Sequence, residues 1–274
     1  MPELPEVETV RTQLDEHLAG ATILAVELWR SGREHPQGDL FIQELTGATI
    51  KSIQRRAKLL IWELDHERFL FAHLKMTGRF YFVSPDYMRA KHDRILIRYR
   101  ARTGEVQDVI WSDMRQFGYL KIVSRVEGDA FLQEYGVEPL TATVNELAER
   151  LALKTTRAIK TVLLDQSVIA GIGNIYADEA CFRAGIRPMR LAKRLTAEER
   201  MRLATSIQEV LQASLAQKGT SAHSYLDTKG GKGGFLALLQ VYGRGGKPCL
   251  RCKKPIKYIH FRGRGTHFCL SCQR

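Results

Sequence analysis

Between Thr228 and Arg274 the chain has no aspartate and no glutamate. Long apolar runs are also missing. None approaches the ~18 residues that a membrane-spanning helix needs. The first residues, Met1-Pro2-Glu3-Leu4-Pro5-Glu6, are acidic. They lack the basic and apolar regions of a secretory signal, so the expectation is a soluble cytoplasmic protein. Cysteine is sparse, with five in 274 residues, and there is no internal repeat and no low-complexity segment.

The charge that is present is unevenly placed. The net charge is +12, and eleven lysines and arginines fall in Thr228–Arg274, leaving the rest of the chain nearly neutral. Such a segment is an electrostatic footprint for a polyphosphate, or else a solvated basic surface. Its cysteines, aromatics and glycines favour a folded module.

Val7, Val10, Leu14 and Leu18 recur at helical spacing, with Gly20 as a stop. From Ala21 to about Val123 the pattern is strand-like, with runs at Leu59–Leu64, Phe69–Leu74 and Arg94–Arg100. This predicts a β-sandwich or barrel. Periodicity fades from Gly128 to Thr143, which reads as a linker. Helices are expected near 144–153, 156–166, 174–184 and 197–217. Thr143–Glu146 and Thr196–Glu199 are capping boxes. Lys229–Gly234 reads as a mobile glycine loop. The division expected is 1–130 for a strand-rich N-terminal domain, 131–150 for a linker and the start of a helical domain, 151–235 for a helical domain ending in the glycine loop, and 236–274 for the basic cysteine-bearing module.

If Met1 is removed, Pro2 presents a secondary amine beside the carboxyl of Glu3. Such an amine attacks an aldehyde-level carbon to give an electron-withdrawing iminium. The other reading is a helix start, where proline suits the first turn and Glu3 and Glu6 complement the helix dipole. Cys249-x2-Cys252 and Cys269-x2-Cys272, sixteen residues apart, fit one tetrahedral structural zinc ion. A disulfide pair or an iron–sulfur cluster is the alternative, and Cys181 reads as core. Gly171-Ile172-Gly173-Asn174 could cradle a phosphate at a helix start, or simply form a tight turn capped by Asn174. Met76 and Phe117, beside Lys75 and Arg115, could fill a gap in a base stack, or belong to a core. Lys58 alone reads as a strand-end charge.

Together these residues carry a resemblance along the whole chain. Pro2–Glu8, Gln54-Arg55-Arg56-Ala57-Lys58, Gly173-Asn174-Ile175-Tyr176-Ala177 and the four-cysteine module with Arg264 resemble the bacterial formamidopyrimidine-DNA glycosylases, bifunctional base-excision glycosylases and AP lyases. The resemblance implies an α+β multidomain protein: an N-terminal β-sandwich with a leading helix, a helix-two-turn-helix module and a C-terminal four-cysteine zinc finger. It implies action on damaged double-stranded DNA in the bacterial cytoplasm, with excision of oxidised purines and β,δ-elimination, and nothing in the sequence suggests more than a monomer. By position, Pro2 would be the Schiff-base nucleophile and Glu3 the general acid. Lys58 would assist β-elimination and Arg264 the second elimination. His73, His92, Lys154, Asn174 and Tyr242 would contact DNA. Met76, Arg115 and Phe117 would fill the space left by the flipped nucleotide. Lys75, Gln116 and Lys218 depart from the family pattern, at positions that bear on lesion preference. An endonuclease VIII-type enzyme acting on oxidised pyrimidines is the neighbouring reading, against which Leu4, Arg115 and Phe117 weigh. A non-catalytic zinc-ribbon DNA-binding protein would explain the basic tail but not the joint presence of Pro2, Glu3 and Lys58.

Overall fold

The computed structural model describes residues 1–29, 38–84, 86–152, 156–222 and 225–274. Its first helix, α1 (Leu4–Leu18), starts where Pro5 sets the first turn and a Glu3/Glu6 capping box satisfies early N–H groups. There follow β1 (Thr22–Leu28), α2 (Asp39–Leu45), β2 (Ile50–Arg56), β3 (Leu59–Leu64), β4 (Arg68–His73), β5 (Gly78–Val83), β6 (Asp93–Arg100), β7 (Val106–Asp113), β8 (Tyr119–Ser124) and α3 (Arg125–Leu132).

The strands form two antiparallel four-stranded sheets, ordered β1-β6-β7-β5 and β2-β3-β4-β8. Residues from both sheets, among them Leu60, Trp62, Phe80, Ile97 and Trp111, share one core with Val7, Val10, Leu14 and Leu18 of α1. This is the expected sandwich with its leading helix. The β3-β4-β8 sheet is also covered on its outer face, where Leu59, Ile61, Phe69, Phe71 and Val123 cluster. Two covered faces explain why β3 and β4 read as continuous apolar runs rather than alternating ones. Gly128 of α3 lies so close to Phe69 that a Cβ would sit 2.4 Å from its ring. The stretch expected to open a linker is therefore a helix pressed onto the sheet.

The chain forms two compact units, Met1–Gln133 with Gln217–Gly234, and Glu134–Ala216 with Phe235–Arg274. The second contains α4 (Val144–Arg150), α5 (Ile159–Leu163), α6 (Asn174–Ala184), α7 (Ala197–Ala216), β9 (Lys257–Phe261) and β10 (Arg264–Phe268). Both predicted capping boxes form, at Thr143 and at Thr196. α5 is shorter than the 156–166 expected. Its first N–H groups go to the carbonyls of Arg190 and Pro188, a long-range pairing that no local pattern reveals. Lys229–Gly234 is hydrogen-bonded at several points instead of hanging free: Asp227 accepts from the N–H of Lys229 (3.0 Å) and Gly231 (2.6 Å), and Gly234 N–H donates to Gln217 (2.8 Å). No described helix is long and apolar enough to cross a membrane.

Candidate active site and nucleic-acid interface

In the first unit, Pro2 and Glu3 are buried at the start of α1. The Glu3 N–H donates to Glu6 Oε2 at 2.8 Å, and Glu6 Oε1 accepts from the Thr220 N–H at 2.7 Å. Glu6 thus fixes the first residues and the 217–234 segment together. Two turns further along α1, Gln13 repeats the arrangement. Its amide donates to Asp227 at 2.9 Å and accepts from the N–H and hydroxyl of Thr228 at 2.9 and 2.8 Å. A Cβ on Gly219 would strike Glu6, and its φ is +88°, so glycine is required there on both counts.

Lys58 is buried in the turn between β2 and β3, after Ala57 at φ +54°. Arg55 ties that turn to α1, bonding Glu8 at 2.6 Å and the Ala57 carbonyl at 2.8 Å. Burial lowers the pKa of the terminal amine. Glu3 and Glu6 oppose this, while Lys58 and Arg115 reinforce it. Glu3, Glu6, Lys58 and Arg115 are therefore within electrostatic reach of the Met1 amine, one residue before Pro2.

His73, at the end of β4, is half-buried. Its Nδ1 accepts the Lys75 N–H at 3.0 Å, and desolvation, with Lys75 and Lys58, lowers its pKa to about 3. It is a neutral imidazole at pH 7 and would meet a phosphate as an Nε2–H donor, not as a cation. His92 is half-buried, and its carbonyl accepts from the Asp113 N–H at 3.0 Å. Met76, Arg115 and Phe117 are all exposed, with the Arg115 guanidinium 4.9 Å from the centre of the Phe117 ring. The core alternative for Met76 and Phe117 is thereby excluded.

In the second unit, Arg264 is exposed and begins β10. The two-residue turn Arg262-Gly263 has both φ values positive, +47° and +73°, as a tight type I′ hairpin requires. The neighbouring Gly265 carbonyl accepts from Lys160 Nζ and Asn174 Nδ2, each at 2.9 Å. Asn174 is the first residue of α6 rather than its cap, which is Gly173. Lys160 is buried, 2.6 Å from Asp178 Oδ1, and Asp178 Oδ2 accepts the His267 N–H at 2.8 Å. Glu179 accepts from the N–H groups of Gln240, Val241 and Tyr242 at 2.8–2.9 Å, setting Tyr242 beside the His267 ring. Lys154 lies outside the described residues. Lys160, Asp178 and Glu179 carry no local signal in the sequence, and Glu6 reads there only as a charge complementing the helix dipole. Each resembles an ordinary charge on a helix face, and only burial distinguishes it.

Cys249, Cys252, Cys269 and Cys272 bring their sulfurs within 4.8 Å of one another, with Cys249–Cys272 at 3.9 Å and Cys252–Cys269 at 3.4 Å. A tetrahedral ion at ~2.3 Å from each sulfur implies edges of roughly 3.8 Å, which these distances bracket. The Lys254 N–H, first among several influences, lowers the Cys252 thiol to about 7, whereas burial and neighbouring thiols raise Cys272 to about 12. A cation is what allows all four to ionise. The site fits one structural zinc ion with no open position for a substrate.

Residues 1–120 match the formamidopyrimidine-DNA glycosylase N-terminal domain, residues 135–225 its H2TH domain, and residues 246–274 the zinc finger found in FPG and IleRS. Formamidopyrimidine-DNA glycosylases of Desulfitobacterium hafniense and Geobacillus kaustophilus are 40% and 39% identical, over the full length of both chains in each case. Among solved structures, a mutant Lactococcus lactis FPG bound to DNA containing Fapy-dG superposes with TM-score 0.90 at 36% identity, covering 100% of both chains. The L. lactis Fpg complex with abasic-site DNA gives 0.89, with 99% of each chain covered. Three domain matches in the family's order and full-length identity agree with the sandwich, the helical module and the zinc site, and the chain belongs to the formamidopyrimidine-DNA glycosylase family.

Proposed function

We propose that this base-excision glycosylase and AP lyase removes oxidised purines from duplex DNA through Pro2. With Met1 removed, the Pro2 nitrogen attacks C1′ and the C1′–N bond to the base breaks, its electron pair leaving with the base. The ring oxygen then leaves C1′ as the iminium forms, and Glu3 supplies its proton. The iminium acidifies C2′. Loss of that proton, with Lys58 assisting, expels the 3′ phosphate. A second elimination expels the 5′ phosphate, with Arg264 offsetting the charge on the leaving group. Asn174, Tyr242, His73 and His92 hold the backbone. Met76, Arg115 and Phe117 occupy the gap left by the extruded base. The zinc ion supports the Arg264 hairpin and takes no part in the reaction. The chain works as a monomer, since one catalytic terminus serves one lesion, and in the bacterial cytoplasm, where its DNA substrate lies.

The observation that carries this reading is the buried Pro2–Glu3 terminus, held by Glu6 and under the charges of Lys58 and Arg115. Borohydride trapping tests it, using duplexes with 8-oxoguanine opposite cytosine, an oxidised pyrimidine, or no damage. A covalent adduct mapped to Pro2, strongest on the oxidised purine, is expected. An adduct mainly on the pyrimidine duplex would shift the substrate class. A Lactococcus lactis relative (TM-score 0.88) was solved with oxidised-pyrimidine DNA, which makes that arm necessary. Absence of any adduct from protein lacking Met1 would sink the proline mechanism.

A further inference from the structure

Asp113 closes β7 and is 0% exposed. Nothing in the proposed chemistry uses it, yet every polar group it has is engaged. Its Oδ1 accepts the Thr77 hydroxyl and, at 3.2 Å, the Arg115 N–H; its Oδ2 accepts the Gly118 N–H at 2.7 Å. The Arg115 N–H is shared with the Thr77 oxygen at 3.0 Å. The Asp113 carbonyl accepts two bonds from the buried Arg94 at 3.2 Å, and the Asp113 N–H donates to the His92 carbonyl. A buried carboxylate is tolerated only when its donors are all in place. Here those donors come from two separate loops.

The loops are 74–78 and 114–118. The first carries Met76 (38% exposed), the second Arg115 and Phe117 (55% exposed). Each contains one non-glycine residue in the left-handed region, Lys75 at φ +48° and Gln116 at +56°. That conformation is strained for a residue carrying a Cβ and persists only where surrounding bonds hold it. Gly78 and Gly118 end the loops, and a Cβ at either would strike the Trp111 ring, at 2.4 and 2.7 Å. Both loops are thus closed onto one indole and fastened to one carboxylate.

We infer that Asp113 and Thr77 are positioning residues that bracket the two loops, so that Met76, Arg115 and Phe117 enter the duplex as one preformed wedge. This rests on the wedge reading given above. Exposed side chains on independent loops would each have to be ordered upon insertion, and a shared bracket removes that cost before DNA arrives. Since Arg115 is fastened through its own N–H, the bracket also fixes where its guanidinium meets the unpaired base.

The test compares Thr77→Val, Thr77→Ser and Asp113→Asn with the parent chain, after thermal melts show each variant to be folded. Single-turnover excision of 8-oxoguanine is measured opposite cytosine and opposite adenine, alongside cleavage of a preformed abasic site, where no base remains to be extruded. We expect Thr77→Val to slow excision about tenfold and to shrink the cytosine-to-adenine rate ratio. Abasic-site cleavage should stay within about twofold, and Thr77→Ser should restore excision. Unchanged excision in Thr77→Val, or equal losses on both substrates with an unaltered opposite-base ratio, would overturn the bracket. Phe117→Ala separates the two ideas: a slow Phe117→Ala beside a normal Thr77→Val removes the bracket alone, whereas a normal Phe117→Ala removes the wedge reading and the bracket with it.

Discussion

His73 shows how one side chain's surroundings decide its chemical role. Its pKa is lowered to about 3 by desolvation and by Lys75 and Lys58, so the folded chain keeps it neutral. An unfolded chain protonates it below about 6.5. Between those values the unfolded state binds more protons, so stability falls as pH drops from 6.5 toward 3. At pH 5 the effect is on the order of 1 kcal/mol, after allowing for screening at a half-buried ring. His73→Asn keeps an acceptor for the Lys75 N–H and removes the titration. Melting temperatures measured from pH 7 to 4 should therefore fall less steeply in the variant than in the parent. Parallel curves would show that the ring does not titrate in this way. In the sequence, His73 was legible only as a possible DNA contact. Its neutrality depends on Lys58 and Lys75 being close and water being scarce, and neither follows from its neighbours in the chain.

Among the elements, those stabilised by their own residues were the readable ones. Thr143 and Thr196 announce helices because each cap is closed by a glutamate three residues on. The Cys249–Cys272 module is readable because metal-ligand spacing is a local property. The bounds of α5 are not legible locally, because its start is set by the carbonyls of Pro188 and Arg190. Lys160 on α5 carries no local signal for a similar reason. Its partners, Asp178, Gly265 and Thr266, are brought to it by the fold. It joins α5, α6 and β10 at the carbonyl next to Arg264. Lys160→Met should thus leave Asp178 as an uncompensated buried charge and cost about 3–5 kcal/mol in urea unfolding. Adding Asp178→Asn should recover part of that loss. A single-variant loss below about 1 kcal/mol would mean that the ion pair contributes little to holding the hairpin.

For the molecule as a whole, composition already constrains the partner. Nearly all of the +12 net charge sits in Thr228–Arg274, the segment that holds the zinc site and Arg264. Charges of one sign concentrated in a folded module repel one another and are kept there at some cost to stability. Binding a phosphodiester backbone offsets that repulsion and releases condensed counterions. If about five phosphates are neutralised, log K should fall against log salt with a slope of roughly −4 to −5. Affinity for an undamaged duplex would then drop by several hundredfold between 50 and 200 mM salt, by the same relation. Fluorescence anisotropy with a labelled duplex measures this directly. Lys257→Gln and Arg262→Gln, both exposed side chains on the β9–β10 hairpin, should each reduce the slope by about one if they meet phosphate. A lesion-containing duplex should show a similar slope at higher affinity, because extrusion adds contacts to the base and gap without adding phosphates. A slope near zero would mean that the basic module does not grip the backbone, and the charge asymmetry would then need another explanation.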